Sequence, residues 1–237
     1  MAVKLLVVDG DGTVSKLKNP FYEVAKELSC YAAIKRYAEE YLAGLISYHE
    51  LICYQNPIFR EAGRRYASER GCQKCDPGLF SQILDKVIGD NCVSASMKMF
   101  LSEVRNSEYE IAMISSGWDA VISKAAREAQ IAYWRANGIL FKDGEFSGTV
   151  IRVPADKIQE FEAAIAFFGI EYKNVAYLGD SEFDLIAMEF VHRKGGECFV
   201  HQSFCEQHGL TFPAYVRCFA SLDCMGKYLR THGRKEA

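Results

Sequence analysis

The feature that most constrains the fold is the start of the chain, where a continuous apolar run ends in two aspartates. Residues 3–8 read Val-Lys-Leu-Leu-Val-Val and are followed by Asp9-Gly-Asp11-Gly-Thr13. A run of this kind predicts a buried strand of a parallel sheet, and ligands bind beyond the carboxyl ends of such strands. Two carboxylates there, beside glycines that let a ligand approach the backbone, predict a site for a hard cation and a phosphorylated compound. An ordinary Asp-Gly turn would also explain the pair.

Composition narrows the class of protein. The chain has 237 residues with 28 basic and 31 acidic side chains, a net charge of −3, which argues against a general nucleic-acid-binding surface. No secretory leader opens the sequence and no apolar run is long enough to cross a bilayer, so a membrane role is not expected. Nine cysteines, an odd number, are typical of reduced thiols rather than of a disulfide framework. Together these features predict a cytoplasmic globular protein.

Strand-like and helix-like stretches alternate along most of the chain. Strands are expected at 110–114, 131–134, 175–178, 197–200 and 215–219, with a hairpin over 139–150 that turns at Asp143-Gly144. Alternation with helices predicts an α/β fold, a doubly wound parallel sheet of the Rossmann-like type.

A long helical segment interrupts this alternation after the first strand. It is longer than any ordinary crossover between parallel strands. We therefore expect residues 1–17 and 95–237 to form the α/β core and residues 18–94 to form an inserted helical cap beside the ligand crevice. Within the cap, apolar spacing predicts one helix over 21–46 and another over 58–70, and the Ser47–Glu50 capping box predicts a helix towards Asn56-Pro57.

Polar residues follow three of the predicted strands and stand at the start of one helix. They are Asp9 and Asp11 after the first strand, Ser115 after the second, Lys157 at a helix start, and Asp180 and Asp184 after a later strand. The carboxyl ends of parallel strands meet at one sheet edge, so these side chains are expected together. Asp9 and Asp180 offer the oxygen ligands that Mg²⁺ prefers.

Each of these residue types has a role in phosphoryl transfer. Asp9 is the predicted nucleophile, since an aspartate can form a covalent acyl phosphate, and Asp11 is the predicted general acid and base. Ser115 and the amides that follow it suit phosphate oxygens at a helix N-terminus. Lys157 would offset negative charge, and Asp184 would orient Lys157 or a metal-bound water. Taken singly, the last three are equally explained by a helix cap, a surface lysine and a first-turn acid.

Together these segments resemble the four motifs of the haloacid dehalogenase superfamily, in family order. The matching segments are Asp9-x-Asp11-Gly-Thr13, Ser115 with Ser116 and Gly117, Lys157, and Gly179-Asp180-x-x-x-Asp184. Three further stretches resemble its phosphoserine-phosphatase-like branch, which carries a helical cap of the C1 type between the first two motifs. These stretches are Ala136-Asn137, Phe141-Lys-Asp143-Gly144 and Ser147-Gly148.

The resemblance implies a function as well as a fold. It implies that Asp9 is the nucleophile, that Asp11 is the acid and base, and that Mg²⁺ is held by Asp9, the main-chain carbonyl of Asp11 and Asp180. A second aspartate in the first motif implies a phosphatase or phosphotransferase rather than a dehalogenase. We therefore expect a Mg²⁺-dependent phosphatase, a monomer or homodimer, that hydrolyses a small phosphorylated metabolite. The alternatives are a phosphotransferase and a non-catalytic module that binds a phosphorylated ligand.

The cap departs from the phosphoserine phosphatase pattern. Only Phe59-Arg60, with Arg64 nearby, resembles the segment that grips phosphoserine in that branch. Arg60 and Arg64 share a helical face and could bind a second anionic group. They could equally form a solvated basic face that pairs with Glu61 and Glu69.

Two groups of cysteines and histidines have spacings that metal sites use. Cys198, His201, Cys205 and His208 could bind zinc, and Cys72-x-x-Cys75 could be half of another site. Against this, Cys198 falls in a predicted core strand, where cysteine is a common packing residue. Zinc stays an open alternative here.

Overall fold

The computed structural model describes residues 4–201 and 212–232, and its centre is one seven-stranded sheet. The strands are β1 (Lys4–Val8), β2 (Tyr109–Trp118), β3 (Tyr133–Lys142), β4 (Glu145–Val150), β5 (Val175–Gly179), β6 (Glu197–His201) and β7 (Val216–Phe219). Their order is β4-β3-β2-β1-β5-β6-β7. Every neighbouring pair is parallel except the β3–β4 hairpin. The opening strand therefore lies at the centre of the sheet.

Nine α-helices are defined within the described ranges. They are α1 (Pro20–Glu27), α2 (Tyr31–Leu42), α3 (Tyr48–Ser68), α4 (Pro77–Ile88), α5 (Ala95–Arg105), α6 (Asp119–Glu128), α7 (Ile158–Phe168), α8 (Leu185–Arg193) and α9 (Leu222–His232). In this part of the chain no helix has the length and apolarity needed to span a membrane.

The central strand is buried on both faces. Leu6 and Val8 pack into a core that α5, α6 and α9 complete, whereas Leu5 and Val7 pack into a core formed with α7 and α8. Successive side chains of a strand point to opposite faces, so an apolar run without alternation serves two layers of helices. The predicted doubly wound α/β fold is confirmed.

Helices α1 to α4 form a third core. Val24 of α1, Phe59 of α3 and Phe80 of α4 are buried there together with Trp118 of β2 and Phe146 of β4. The helical segment after β1 therefore packs on the ends of two sheet strands. The boundaries of the predicted cap at 18 and 94 stay a prediction.

Two helix boundaries in this segment differ from the expectation. The predicted helix over 21–46 is two helices, because the chain leaves α1 through Ser29, whose φ is +54°. The two predicted helices that meet at Pro57 are instead one helix, α3, capped by Ser47 and Glu50 as expected. A proline within a helix removes one hydrogen bond, but tertiary packing of the buried side of α3, with Phe59 at its centre, outweighs that loss.

The strand and the hairpin predicted after α6 are also continuous. The strand expected at 131–134 and the first strand of the hairpin form the single strand β3. The turn itself is as predicted, since Asp143 and Gly144 both have positive φ, at +56° and +71°, the geometry of a type I′ hairpin turn.

Candidate active site

The carboxyl ends of β1, β2 and β5 border a cavity of about 370 Å³. Its floor carries the residues that the sequence singled out: Asp9, Asp11, Ser115, Ser116, Gly117, Lys157, Asp180 and Asp184. Its opposite wall is formed by side chains of α1, α2 and α3. The sheet topology thus brings these residues together although they are far apart in the sequence.

Lys157 is the centre of the polar network. Its Nζ donates to Asp9 Oδ1 at 2.5 Å and to Asp184 Oδ1 at 2.7 Å, and it lies 3.0 Å from the hydroxyl of Tyr177. The residue is 2% exposed and enters α7 with φ +59°, a left-handed conformation. Burial opposes its charge, but the carboxylates of Asp184 and Asp9 outweigh burial and raise the pKa of Lys157 well above its usual value.

Asp184 organises the loop after β5. Its Oδ1 accepts from Lys157 and from the hydroxyl of Tyr177. Its Oδ2 accepts from the amide of Asp180 at 3.0 Å and from the amide and hydroxyl of Ser181 at 3.2 Å each. Burial would raise the pKa of Asp184, yet Lys157 and these donors lower it. Both oxygens are therefore committed to holding neighbouring groups.

Asp9 and Asp180 have the electrostatics of a cation site. Burial, opposed by Lys157 and reinforced by Asp184, raises the pKa of Asp9 to about 7. Burial and then the charge of Asp9 raise the pKa of Asp180 to about 9. Oxygens of Asp9, Asp180 and Asp184 lie within 4.8 Å of one another. A divalent cation between Asp9 and Asp180 would offset both burial and repulsion, and hard oxygen donors fit Mg²⁺.

Asp11 also lies at the cavity floor, where its carboxyl group is next to Gly117. Its Oδ1 is buried and has no hydrogen-bond partner among the described residues. Burial and the charge of Asp9 raise the pKa of Asp11 well above its ordinary value, which favours a protonated carboxyl that can donate. Oδ2 of Asp11 lies over Gly117, where an added Cβ would come within 1.9 Å of it. A side chain at 117 would therefore force this carboxyl to move.

The segment that is predicted to bind phosphate lies at the end of β2. Ser115, Ser116 and Gly117 are followed by Trp118, the last residue of β2, and α6 begins at Asp119, so the segment lies directly before the N-terminus of that helix. The hydroxyl of Ser115 accepts from the amide of Gly117 at 3.1 Å. Thr13 is 7% exposed, with its hydroxyl buried and unpartnered in the part of the chain that the structure describes.

Asn137 joins this segment to the helical wall, a role that the sequence did not reveal. Its Nδ2 donates to the Ser116 carbonyl at 2.7 Å and to the Tyr48 hydroxyl at 2.9 Å. Its Oδ1 accepts from the amides of Arg152 and Val153 at 2.7 and 2.8 Å. The side chain is completely buried, so these contacts fix the segment against two other parts of the fold.

Tyr177 is a second residue that sequence reasoning missed. It lies in β5, completely buried. A tyrosine within a strand that is otherwise a buried apolar run could have indicated this residue. A buried phenolic hydroxyl usually has a hydrogen-bond partner, so its presence there predicts a polar contact.

Arg60 and Arg64 do not line the cavity. Nε of Arg60 lies 3.0 Å from Glu145 Oε2, and Nε of Arg64 lies 2.7 Å from Glu145 Oε1. Glu145 is 6% exposed, and the two guanidinium groups neutralise it. The partner of both arginines is thus a β4 residue rather than the predicted Glu61 and Glu69.

The proposed zinc ligands are only partly described. Cys198 is buried in β6, where its Sγ donates to the Met188 carbonyl at 3.1 Å, and His201 ends that strand. Cys205 and His208 lie outside the described residues, so zinc stays an open alternative there. Cys75 is buried and Cys72 is exposed, and both are free thiols.

Comparison with known proteins finds relatives that are named as phosphoserine phosphatases or as HAD family hydrolases. No family model matches the sequence. A phosphoserine phosphatase of Methanocaldococcus jannaschii is 20% identical over 185 residues, 77% of this chain and 79% of that protein. A solved phosphoserine phosphatase, a phospho-aspartyl intermediate analogue, matches with TM-score 0.67 and 21% identity over 96% of this chain and 99% of that one. A HAD family hydrolase from Salmonella enterica serovar Typhi matches with TM-score 0.63 and 19% identity over 85% and 62%.

These similarities confirm the resemblance to the haloacid dehalogenase superfamily and its phosphoserine-phosphatase-like branch. They also confirm the predicted fold, since two solved relatives share it over most of this chain. These relatives are named as phosphoserine phosphatases and as a HAD family hydrolase, which agrees with the predicted class of enzyme.

Proposed function

We propose that this protein, with the fold and the relatives of haloacid dehalogenase superfamily phosphatases, is a Mg²⁺-dependent phosphatase of a small-molecule phosphomonoester. The observation that carries the proposal is the position of Asp9. Its carboxylate lies at the cavity floor with one oxygen held by Lys157 at 2.5 Å. That contact leaves the other oxygen to attack phosphorus, and an aspartate in this role divides a difficult hydrolysis into two easier steps.

The proposed reaction proceeds in two displacements at phosphorus. Asp9 Oδ2 attacks the ester phosphorus, the bond to the alcohol oxygen breaks, and the protonated carboxyl of Asp11 gives its proton to that oxygen. The product is an aspartyl phosphate and a free alcohol. Asp11, now a carboxylate, takes a proton from water as the water oxygen attacks the phosphorus. The bond to Asp9 breaks, phosphate leaves, and both aspartates return to their starting state.

The other floor residues stabilise charge during both displacements. Lys157 holds Asp9 in place and puts a positive charge beside the carboxylate that attacks phosphorus. Ser115 and the segment after it offer hydroxyl and amide groups to phosphoryl oxygens. Asp9, the Asp11 carbonyl and Asp180 would hold Mg²⁺, which supplies positive charge to the transferred phosphoryl group when bound.

The remaining expectations fit this proposal. Helices of segment 18–94 would act as a cap that excludes water from the acyl phosphate, and the substrate would be a small phosphorylated metabolite. Nine cysteines, an odd number, support a reducing compartment, the cytoplasm. A monomer or homodimer stays the expected state of assembly.

The test is phosphate release from a panel of phosphomonoesters by the wild type and Asp9→Asn, each with and without Mg²⁺. We expect Mg²⁺-dependent release that falls at least about a thousandfold in Asp9→Asn. Asp223→Asn, an exposed carboxylate on α9, is the matched control and should match the wild type. Silence of the wild type with Mg²⁺ across the panel, or full activity of Asp9→Asn, would overturn the proposal. Addition of acceptor alcohols to the assay distinguishes hydrolysis from phosphotransfer.

A further inference from the structure

The wall opposite Asp9 is apolar and aromatic. We call it the cap wall and define it by six residues: Phe21 and Tyr22 of α1, and Tyr48, Leu51, Ile52 and Gln55 of α3. The four α3 residues recur at helical spacing and so share one face of that helix. A substrate whose phosphate lies at Asp9 would therefore direct its alcohol part at this wall.

Two polar groups of the cap wall are already engaged. The Tyr48 hydroxyl accepts from Asn137 at 2.9 Å, and Nε2 of Gln55 donates to the Ile34 carbonyl at 3.1 Å. Leu51 and Ile52 are 7% and 5% exposed. The surface that can contact an alcohol group consists of ring faces, aliphatic side chains, two tyrosine hydroxyls and one carboxamide, and none of these groups is charged.

The charges around the cavity oppose a second anion. Besides the five carboxylates that line it (Asp9, Asp11, Asp180, Glu182 and Asp184), the lining includes two cations, Lys157 and the exposed Lys18. The charge of Lys157 is already paired with the carboxylates of Asp9 and Asp184. The lining contains no arginine, and the two cap arginines of the sequence prediction pair with Glu145 instead. A carboxylate on the substrate would lose part of its hydration beside five acidic side chains, with only the exposed Lys18 as a further cation among the lining residues.

Resting on the proposed function, we propose that the substrate is a phosphate ester of an alcohol that bears no anionic group and that presents an apolar surface to the cap wall. The relatives named as phosphoserine phosphatases act on an ester whose alcohol carries a carboxylate. This chain retains the floor residues for the phosphoryl group but has an uncharged wall where that carboxylate would lie. The specificity of the site is thus set by α1 and α3 rather than by the phosphate-binding floor.

The test is a matched series of primary alkyl esters on the wild type with Mg²⁺: ethyl phosphate, benzyl phosphate, phosphoethanolamine and phosphoserine. Because the leaving groups are all primary alcohols, differences in kcat/KM report mainly on contacts with the alcohol part. We expect benzyl phosphate to exceed ethyl phosphate by about tenfold, from burial of the ring. Phosphoserine, which adds a carboxylate to phosphoethanolamine, should fall below it by about tenfold.

Two variants test whether the cap wall causes the expected preference for benzyl phosphate over ethyl phosphate. Leu51→Ala and Ile52→Ala should lower kcat/KM for benzyl phosphate about fivefold while changing ethyl phosphate little. Tyr54→Ala, at a half-exposed position of the same helix outside the cavity lining, should change neither.

Each outcome decides a different claim. If phosphoserine is cleaved as well as or better than benzyl phosphate, the inference is overturned while the proposed phosphatase activity stands. The same conclusion follows if the wall variants lower kcat/KM for benzyl phosphate and for ethyl phosphate equally. Failure of the wild type to cleave any ester overturns the proposed function, and the inference with it. If a wall variant does not fold, as circular dichroism would show, the wild-type ester series alone decides between support and refutation.

Discussion

The buried hydroxyl of Tyr177 donates a hydrogen bond to Oδ1 of Asp184. The same oxygen accepts from Lys157 at 2.7 Å, so the tyrosine and the lysine share one acceptor. Asp184 is thereby held between a strand residue beneath the site and the cation that reaches Asp9. We interpret Tyr177 as a positioning residue that sets where Lys157 lies.

Substitution of this hydroxyl tests that interpretation. In Tyr177→Phe, the Asp184 carboxylate loses one of its two Oδ1 donors, so Lys157 is held less firmly. We expect kcat to fall about tenfold with little change in KM, and the free energy of unfolding to fall by about 1–2 kcal/mol. Tyr133→Phe is the control, because the Tyr133 hydroxyl is buried with no partner among the described residues. Equal kinetic effects in both variants would contradict the positioning role.

Asn137 offers a second test of how the phosphate-binding segment is held. Asn137→Ala removes four hydrogen bonds at a fully buried position. We expect the free energy of unfolding to fall by about 2–4 kcal/mol and phosphate release to fall with it, because Ser116 and Tyr48 lose their common partner. Urea denaturation and steady-state kinetics measure the two effects.

A matched variant separates stability from function. Asn56 also makes two hydrogen bonds with the backbone of β4. Its Oδ1 accepts from the amide of Thr149 at 2.7 Å, and its Nδ2 donates to the Thr149 carbonyl at 3.0 Å. Asn56→Ala should destabilise the fold while leaving kcat/KM within about twofold of the wild type. If Asn137→Ala behaves the same way, the contact to Ser116 has no role in the reaction.

The cap arginines test whether Glu145 or the substrate is their partner. Arg60→Ala and Arg64→Ala each leave the nearly buried Glu145 carboxylate with one guanidinium fewer. We expect a lower unfolding free energy, with the larger loss in Arg60→Ala because Arg64 is half exposed, and an unchanged KM for every ester of the series. A KM that rises selectively for phosphoserine in either variant would assign the arginine to substrate binding instead.

Glu128 makes stability depend on pH at a place remote from the site. Partial burial would raise its pKa, but the amide and thiol of Cys92, Lys98 and the amide of Val93 lower the pKa of Glu128 to about 2, from the ordinary 4.5. A carboxyl whose pKa is lower in the folded state stabilises the fold above its unfolded pKa, and this contribution is lost as pH falls from about 4.5 towards about 2.

The corresponding variant is Glu128→Gln. We expect its unfolding free energy at pH 7 to be about 1–2 kcal/mol below the wild type, with the difference shrinking as pH falls below about 4.5. Glu61→Gln, at an exposed position of α3, should have the same unfolding free energy as the wild type both at pH 7 and below about pH 4.5. A deficit in Glu128→Gln that is constant from pH 7 to pH 3 would contradict the ionic origin of the effect.

Helix boundaries show where local sequence patterns were insufficient. The capping box at Ser47 and Glu50 is a local device, and the structure has it as predicted. The continuation of α3 through Pro57 depends on a buried contact surface around Phe59, to which α4, β2 and β4 contribute. The sequence of the helix contains no information about those neighbours, so it cannot show that packing compensates for the hydrogen bond lost at Pro57.

The sequence by itself determined the sheet and the edge where polar residues gather. An apolar run without alternation must be buried on both faces, and strands that alternate with helices must be parallel. The residues Asp9, Asp11, Lys157 and Asp180 were therefore expected at one edge from their positions along the chain. Their chemical roles follow from residue type and from the resemblance, and stay predictions until the variants are measured.

Only the tertiary structure decided which partners those residues have. Tyr177 beneath Asp184, Asn137 behind Ser116, and Glu145 against Arg60 and Arg64 are contacts between segments far apart along the chain. Hydrogen bonds and ion pairs act over a few ångströms of space, and spacing along the chain carries no information about such distances. The apolar wall formed by α1 and α3 has the same origin, because which face of a helix meets a cavity is settled only when the helices pack.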